Sequence, residues 1–341
     1  MHRAIVYAKH GDPSKVLRVL SLPALSSPQS RTVNLRLLLA PINPADVNVI
    51  EGVYPSKPTA NDLGLFIGGN EGVAEITQVG PDCPGLNKND RVIFTKQQLG
   101  TWASVRNVKF DDILKLPAGL TDVHAATITV SMSKPIFIFQ PCQVNPPTAY
   151  NMLTDFVTLN PGEWILQNGA NSAVGQAVIQ IAAARGLKTM NFVRNRDDLD
   201  SLKNYLTSLG ATHVFTYDDL QDKAFRKTVS DLTNAANIRL ALNCVGKRPR
   251  DLSDQQSHSL SGGPETSQMV RLLGDGAHLV SYGAMSKQPL SLPTSLFIFK
   301  DLTSHGFWQS RWYTQKTRQE RENLLVKLSE LIQSGKVSFF L

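Results

Sequence analysis

The chain has 341 residues, 42% of them hydrophobic and 18% charged, with a formal net charge of +7. That length allows two domains with separate cores, and that balance excludes a disordered or collagen-like chain. No apolar run approaches the roughly 20 residues of a membrane span, and the basic residues form no dense block or aromatic-interleaved stripe suited to nucleic acid. A positive surface suits an acidic small molecule or an acidic carrier protein. The cysteines, Cys83, Cys142 and Cys244, are odd in number, far apart and in no CxxC pair. They argue for a reducing compartment and against a disulfide framework or a zinc lobe.

The N-terminus reads directly as a strand with no Arg/Ser-rich amphipathic presequence before it, so any organellar address is expected to be missing from this chain. Residues 4–7, 32–39, 72–79 and 91–94 are short strand-like runs punctuated by Gly, Pro and Asn. Between them lies a polar segment, 41–58, bracketed by prolines and containing Tyr54. A rigid scaffold usually presents its chemistry on such a segment. Gly68-Gly69-Asn70-Glu71-Gly72 and Gly100-Thr101-Trp102 follow.

From about 145 to 300 the pattern changes to apolar runs, at 164–167, 189–193, 213–216, 240–245 and 278–282, alternating with helical stretches. This is the rhythm of a parallel, doubly wound sheet. The first run ends in Asn168-Gly169-Ala170-Asn171-Ser172-Ala173-Val174-Gly175 and opens into a helix expected over 176–185. A helix N-terminus with unpaired N–H groups favours a pyrophosphate, and small residues let the backbone approach it. The second run ends in Arg194-Asn195-Arg196-Asp197-Asp198. Arginines at that strand end accommodate the 2′-phosphate of NADP, which favours NADPH over NADH. After residue 301 a last amphipathic helix is expected over 321–333, with Leu324, Leu325, Leu328, Leu331 and Ile332 on one face.

Together these segments resemble the medium-chain dehydrogenase/reductase superfamily and, within it, the mitochondrial trans-2-enoyl-thioester reductases. The matching residues are Pro41-Ile42-Asn43-Pro44-x-Asp46-x-Asn48, Gly52-Val53-Tyr54-Pro55, Gly69-Asn70-Glu71-Gly72, Gly100-Thr101-Trp102, Val144-Asn145-Pro146-x-Thr148-Ala149-Tyr150, Asn168-Gly169, Ser172-Ala173-Val174-Gly175, Leu242-Asn243-Cys244-Val245-Gly246, Tyr282-Gly283-Ala284-Met285 and Gly306-Phe307-Trp308. Zinc alcohol dehydrogenases of the superfamily place Cys and His where this chain has Asn43 and Asn70. Amides are poor zinc ligands beside thiolate and imidazole, so a metal-free enzyme with an organic acid is expected.

The resemblance implies an α/β fold: a GroES-like, β-rich catalytic domain over 1–144, a Rossmann NADPH-binding domain over 145–300, and a return to the catalytic domain over 301–341. The cofactor is expected in the cleft between the domains. The implied reaction is NADPH-dependent reduction of a trans-2-enoyl-CoA or enoyl-acyl-carrier-protein thioester to the saturated thioester, in mitochondrial fatty-acid synthesis. Tyr54 is implied as the donor of the proton to C2; a phenol with an ordinary pKa near 10 is protonated at neutral pH. The cofactor contacts carried across are Asn145, Asn171, Ser172, Ala173, Val174, Arg194, Arg196, Asp197, Tyr282, Gly283, Ala284, Met285, Phe307 and Trp308; the resemblance also implies Trp102 as the wall of a substrate channel, and a core role suits that residue equally. A homodimer is implied, through an edge strand such as that read at 296–299. The rivals are a quinone or enone reductase on the same fold and a defective, non-catalytic product.

Three places depart from the family pattern. Residues 130–143 separate Thr129 from Val144, residues 247–262 separate Gly246 from Gly263, and the chain stops at Leu341, short of the family's usual end. Val130-Ser131 and Gly246-Lys247 admit codons with splice-donor starts, and both inserts admit acceptor-like ends. All three departures are read as translated introns, the alternative being ordinary loop insertions with a genuine short C-terminus. The first insert carries the uncharged, β-prone Ile136-Phe137-Ile138-Phe139, an aggregation hazard if exposed. The second, rich in Ser, Gln and Gly, is expected as a disordered loop.

Overall fold

The computed structural model describes residues 1–42, 44–54, 57–117, 122, 145–244, 264–283 and 290–337. Asn43, the inserts expected at 130–143 and 247–262, the cofactor positions Ala284 and Met285, and the chain end at 338–341 lie outside the described residues. Contacts divide the chain into two units, Met1–Pro147 with Gln309–Gly335, and Thr148–Trp308. Among the described residues, no helix is long and apolar enough to cross a membrane.

The first unit is built from β1 (His2–Tyr7), α1 (Pro13–Val16), β2 (Arg18–Leu22), β3 (Thr32–Leu39), α2 (Pro44–Glu51), β4 (Phe66–Ile67), β5 (Val73–Val79), β6 (Arg91–Phe94), β7 (Val105–Lys109) and β8 (Ile113–Lys115). They form an antiparallel three-stranded sheet, β2-β1-β4, and an antiparallel five-stranded sheet, β7-β3-β5-β6-β8. Val33, Leu35, Ala74, Ile76, Val92, Phe94, Val108 and Ile113 share one core, as alternating strands with one covered face require. The Pro-bracketed segment is not all loop, because α2 occupies its middle. Proline is well tolerated at the first helical position, where its missing N–H has no intrahelical partner to lose.

Between β8 and the second unit's sheet comes α3 (Asn145–Met152). That sheet's elements are β9 (Trp164–Asn168), α4 (Ala173–Ala184), β10 (Lys188–Val193), α5 (Leu199–Ser208), β11 (His213–Thr216), α6 (Phe225–Thr233), β12 (Leu240–Asn243), α7 (Pro264–Arg271), β13 (His278–Ser281), α8 (Thr294–Lys300) and β14 (Thr303–Gly306). Every pairing is parallel, in the order β11-β10-β9-β12-β13-β14. Numbered from β9 this is 3-2-1-4-5-6, the doubly wound order whose switch point lies between β9 and β12. Trp164, Leu166, Met190, Phe192, Ala241 and Leu279 fill one face. Helix α4 begins three residues earlier than expected because Ser172 caps it, accepting the Gly175 N–H.

The stretch 296–299, expected as an edge strand, lies in helix α8; β14 holds the edge instead. Pro293 at the N-cap and Asp301 in the left-handed conformation at the C-cap bracket this short helix. Helices α9 (Gln309–Gln315) and α10 (Arg318–Gln333) belong to the first unit. Thr317 and Glu320 form a reciprocal capping box that starts α10 three residues before the apolar periodicity does. Arg318 lies 4.2 Å over the Phe110 ring and donates to the carbonyls of Phe110 and Ile113 at 3.1 and 3.0 Å.

Candidate active site

In the first unit, α2 delivers Tyr54. The helix stops at Gly52, whose φ of +81° suits glycine and whose Cβ, if present, would lie 2.9 Å from the His10 ring. The N–H groups of Val53 and Tyr54 both donate back to the carbonyl of Asn48, at 3.0 and 3.1 Å. Tyr54 is thereby fixed one turn beyond the helix, half-buried.

Under α2 the interior is polar. Asp46, on the first turn of α2, is buried and accepts from Asn70 Nδ2 at 2.6 Å; Asn70 Oδ1 accepts from the Gln98 N–H at 3.0 Å. Tyr7 is buried, with no hydrogen-bond partner for its hydroxyl among the described residues. It lines a small pocket with Asp46, Ile67, Asn70 and Gln98. Burial, and then the Asp46 charge, push its pKa up to about 12. The same two causes raise the Glu71 carboxyl well above its ordinary range. Burial and then Glu71 raise the Tyr313 phenol. Trp102 is half-buried, donates its indole N–H to Pro41 O at 3.0 Å and covers Gly69, where an added Cβ would lie 2.5 Å from the ring. Asn145 opens α3 and is fully buried.

In the second unit, most of the expected cofactor residues gather at the carboxyl edge of the sheet. The loop after β9 passes Asn171 and caps α4 with Ser172. Gly175 is forced by close approach, since a Cβ there would lie 2.6 Å from Ala170 O. The N–H groups of Ala173 and Val174 find no acceptor among the described residues. That fits a phosphate group at the helix N-terminus. At the end of β10, Arg194 and Arg196 are half-buried and Asp197 is exposed; Arg196 Nε lies 3.8 Å from Asp198. Two guanidiniums at the second strand's end match the demand of a 2′-phosphate.

Beyond β13, the Tyr282 N–H donates to Asn243 O at 2.9 Å, and Gly283 follows. Beyond β14, Phe307 donates its N–H to Ser281 O at 2.9 Å and its ring meets Phe156 edge-on. Trp308 is 43% exposed.

Sequence reasoning missed one feature of this edge. Gln167, Asn168, Asn191 and Asn243 are buried amides within otherwise apolar strands and are hydrogen-bonded to one another in pairs. Their polarity inside runs read simply as buried strand was the available signal.

Two family models match, an alcohol dehydrogenase GroES-like domain over residues 29–118 and a zinc-binding dehydrogenase over 173–257. The human mitochondrial enoyl-[acyl-carrier-protein] reductase is 39% identical over 336 residues, covering 98% of this chain and 80% of its own. The Yarrowia lipolytica enzyme of the same name is 40% identical over 327 residues, covering 94% and 77%. Among solved structures, a mutant form of the enoyl thioester reductase from Candida tropicalis superposes with a TM-score of 0.83 at 32% identity, covering 100% of this chain and 90% of that one. The complex of Etr1p with NADP and crotonyl-CoA also gives 0.83 at 32% identity, covering 99% and 90%. A Bacillus thuringiensis protein described as a quinone reductase gives 0.75 at 22% identity, a likeness of fold alone.

Proposed function

The chain belongs to the mitochondrial enoyl-[acyl-carrier-protein] reductase family, and from that membership we propose that it reduces trans-2-enoyl thioesters to saturated acyl thioesters with NADPH. When bound, NADPH supplies a hydride to C3 of the enoyl group. In this reading Tyr54 gives the proton to C2, and Trp102 forms part of the wall beside the acyl chain. The α4 N-terminus with Asn171, Ser172, Ala173 and Val174 holds the pyrophosphate. Arg194 and Arg196, with Asp197 beside them, hold the 2′-phosphate. Tyr282, Gly283, Ala284, Met285, Phe307, Trp308 and Asn145 complete the cofactor contacts. The first unit has the catalytic role and the second the cofactor-binding role. The relatives' names favour a mitochondrial enzyme acting on an acyl-carrier or coenzyme A thioester, and a homodimer would pair through the β14 edge.

One observation carries the assignment of the acid. Asn70 stands where zinc relatives hold a metal-binding imidazole, and its amide is engaged by Asp46 and the Gln98 N–H. An amide so engaged offers little to a metal. Tyr54, three residues beyond the helix whose first turn carries Asp46, then supplies the proton, as a phenol of ordinary pKa near 10 can at neutral pH.

The test is Tyr54→Phe assayed with crotonyl-CoA and NADPH. Turnover should fall by a factor on the order of 10²–10⁴, the usual worth of a positioned general acid, while the NADPH dissociation constant stays within about twofold. Wild-type turnover in the variant would remove Tyr54 from the mechanism.

A further inference from the structure

The backbone ladder between β9 and β12 ends at the pair Gln167 and Leu242. One residue further on, where the strands part at the switch point, side chains take over. Asn168 Nδ2 donates to Asn243 Oδ1 at 2.7 Å and to Thr266 Oγ1 at 3.3 Å, and Asn168 Oδ1 accepts the Cys244 N–H at 2.9 Å. Asn243 Nδ2 in turn donates to Ser281 Oγ at 3.0 Å, and Asn243 O accepts the Tyr282 N–H at 2.9 Å.

Asn168 is fully buried. A buried amide is costly unless bonded, and this one is bonded through both its polar atoms. It therefore clamps the end of β9, where the loop to α4 begins, to the end of β12. Through Asn243 the clamp reaches the end of β13, where Tyr282 and Gly283 leave the sheet.

We propose that Asn168 is a positioning residue for the dinucleotide, holding the loop that precedes α4 and the Tyr282–Gly283 segment at a fixed separation across the switch point. Both of its polar atoms are already engaged within the protein. This rests on the reading that the second unit binds NADPH. A whole dinucleotide engages both sides at once, so its affinity depends on that separation being set in advance. A fragment that engages only the side of α4 and Arg194 is indifferent to it.

The experiment compares NADPH with 2′,5′-ADP on the full-length protein by equilibrium titration. In Asn168→Ala, NADPH should bind about tenfold more weakly, whereas 2′,5′-ADP should stay within about twofold of wild type. Equal losses for the two probes, or no loss for either, would overturn the positioning role. If Asn168→Ala does not fold, Ser281→Ala decides. It loosens only the β12–β13 link and should weaken NADPH about threefold without affecting 2′,5′-ADP; equal effects on both again overturn the proposal. Wild-type protein that binds neither probe would instead overturn the cofactor reading on which the proposal stands.

Discussion

The two units bury polar side chains in opposite ways. Across the parallel sheet the buried groups are neutral amides and hydroxyls, Gln167, Asn168, Asn191, Asn243 and Thr266, that exchange hydrogen bonds along the strand ends. Under α2 they are an acid, Asp46, beside a second carboxyl, Glu71, and the phenol of Tyr7. Low dielectric strengthens hydrogen bonds in both places, but it penalises an ionised group far more than an amide. The sheet network should therefore hold at any moderate pH, whereas the interior under α2 is sensitive to the charge of each member. The contrast suits the work proposed for each unit: a cofactor cradle would have only to keep its shape, while the other unit would have to manage a proton.

The largest effect should come from breaking the acidic region. Asp46→Ala removes the acceptor of Asn70 Nδ2, on an asparagine that is only 3% exposed. Losing a hydrogen bond to a carboxylate and orphaning the donor costs about 3 kcal/mol, read as a lower urea midpoint. Asp46→Asn keeps an acceptor oxygen and should cost much less. Equal stability of Asp46→Ala and wild type would erase the contrast between the regions.

A smaller effect sharpens it. Burial first, and then Asp46, raise the Glu71 pKa, so the folded protein holds a proton that the unfolded chain releases above the ordinary carboxylate range. That contribution to stability is complete below the unfolded pKa of about 4.5 and fades as pH rises toward the raised folded value. Glu71→Gln keeps a neutral side chain of similar shape and removes the titration. Its melting temperature relative to wild type should therefore climb between pH 5 and pH 8. A constant difference across that range would mean that Glu71 is ionised in both states.

How much of this was legible in the sequence follows the same division. The buried parallel strands announced themselves as apolar runs, and β11 at His213–Thr216 has the expected bounds. In the first unit, β3 and β6 also fall where the punctuated strand-like runs placed them. Helix starts shifted by three residues at α4 and α10, because caps at Ser172 and Thr317 precede the apolar period. The stretch 296–299 misled because Phe and Ile favour strands locally, while Pro293 and Asp301 set the ends of a helix. The loop after β9 and the arginines after β10 could be located at strand ends because each lies in a contiguous motif. The Asp46–Asn70 bond and the Asn168–Asn243 bond could not, since each joins residues whose proximity only the fold creates.

The second unit is not wholly insensitive to pH, and its exception makes the subtlest test. His278 Nδ1 and His305 Nε2 lie 2.8 Å apart on neighbouring strands β13 and β14, with Phe156 tilted against His305 at 4.9 Å between ring centroids. One proton satisfies that contact; two would set like charges at hydrogen-bond distance. Burial and then His278 lower the His305 pKa, so below about 6.5 the unfolded chain binds more protons than the folded one. Stability is retained above that pH and lost as pH falls through the lower folded value. Because both rings are only half-buried, the effect is partly screened and small. His305→Gln keeps a polar partner for His278 and should reduce the fall in melting temperature between pH 7.5 and pH 5.5 by about 1 °C. It should not abolish the fall, because His213, lowered by burial and then Lys188, titrates with the same sign. A variant with the full wild-type fall would show that the pair contributes nothing to that pH dependence and that the backbone ladder from β13 holds β14 without it.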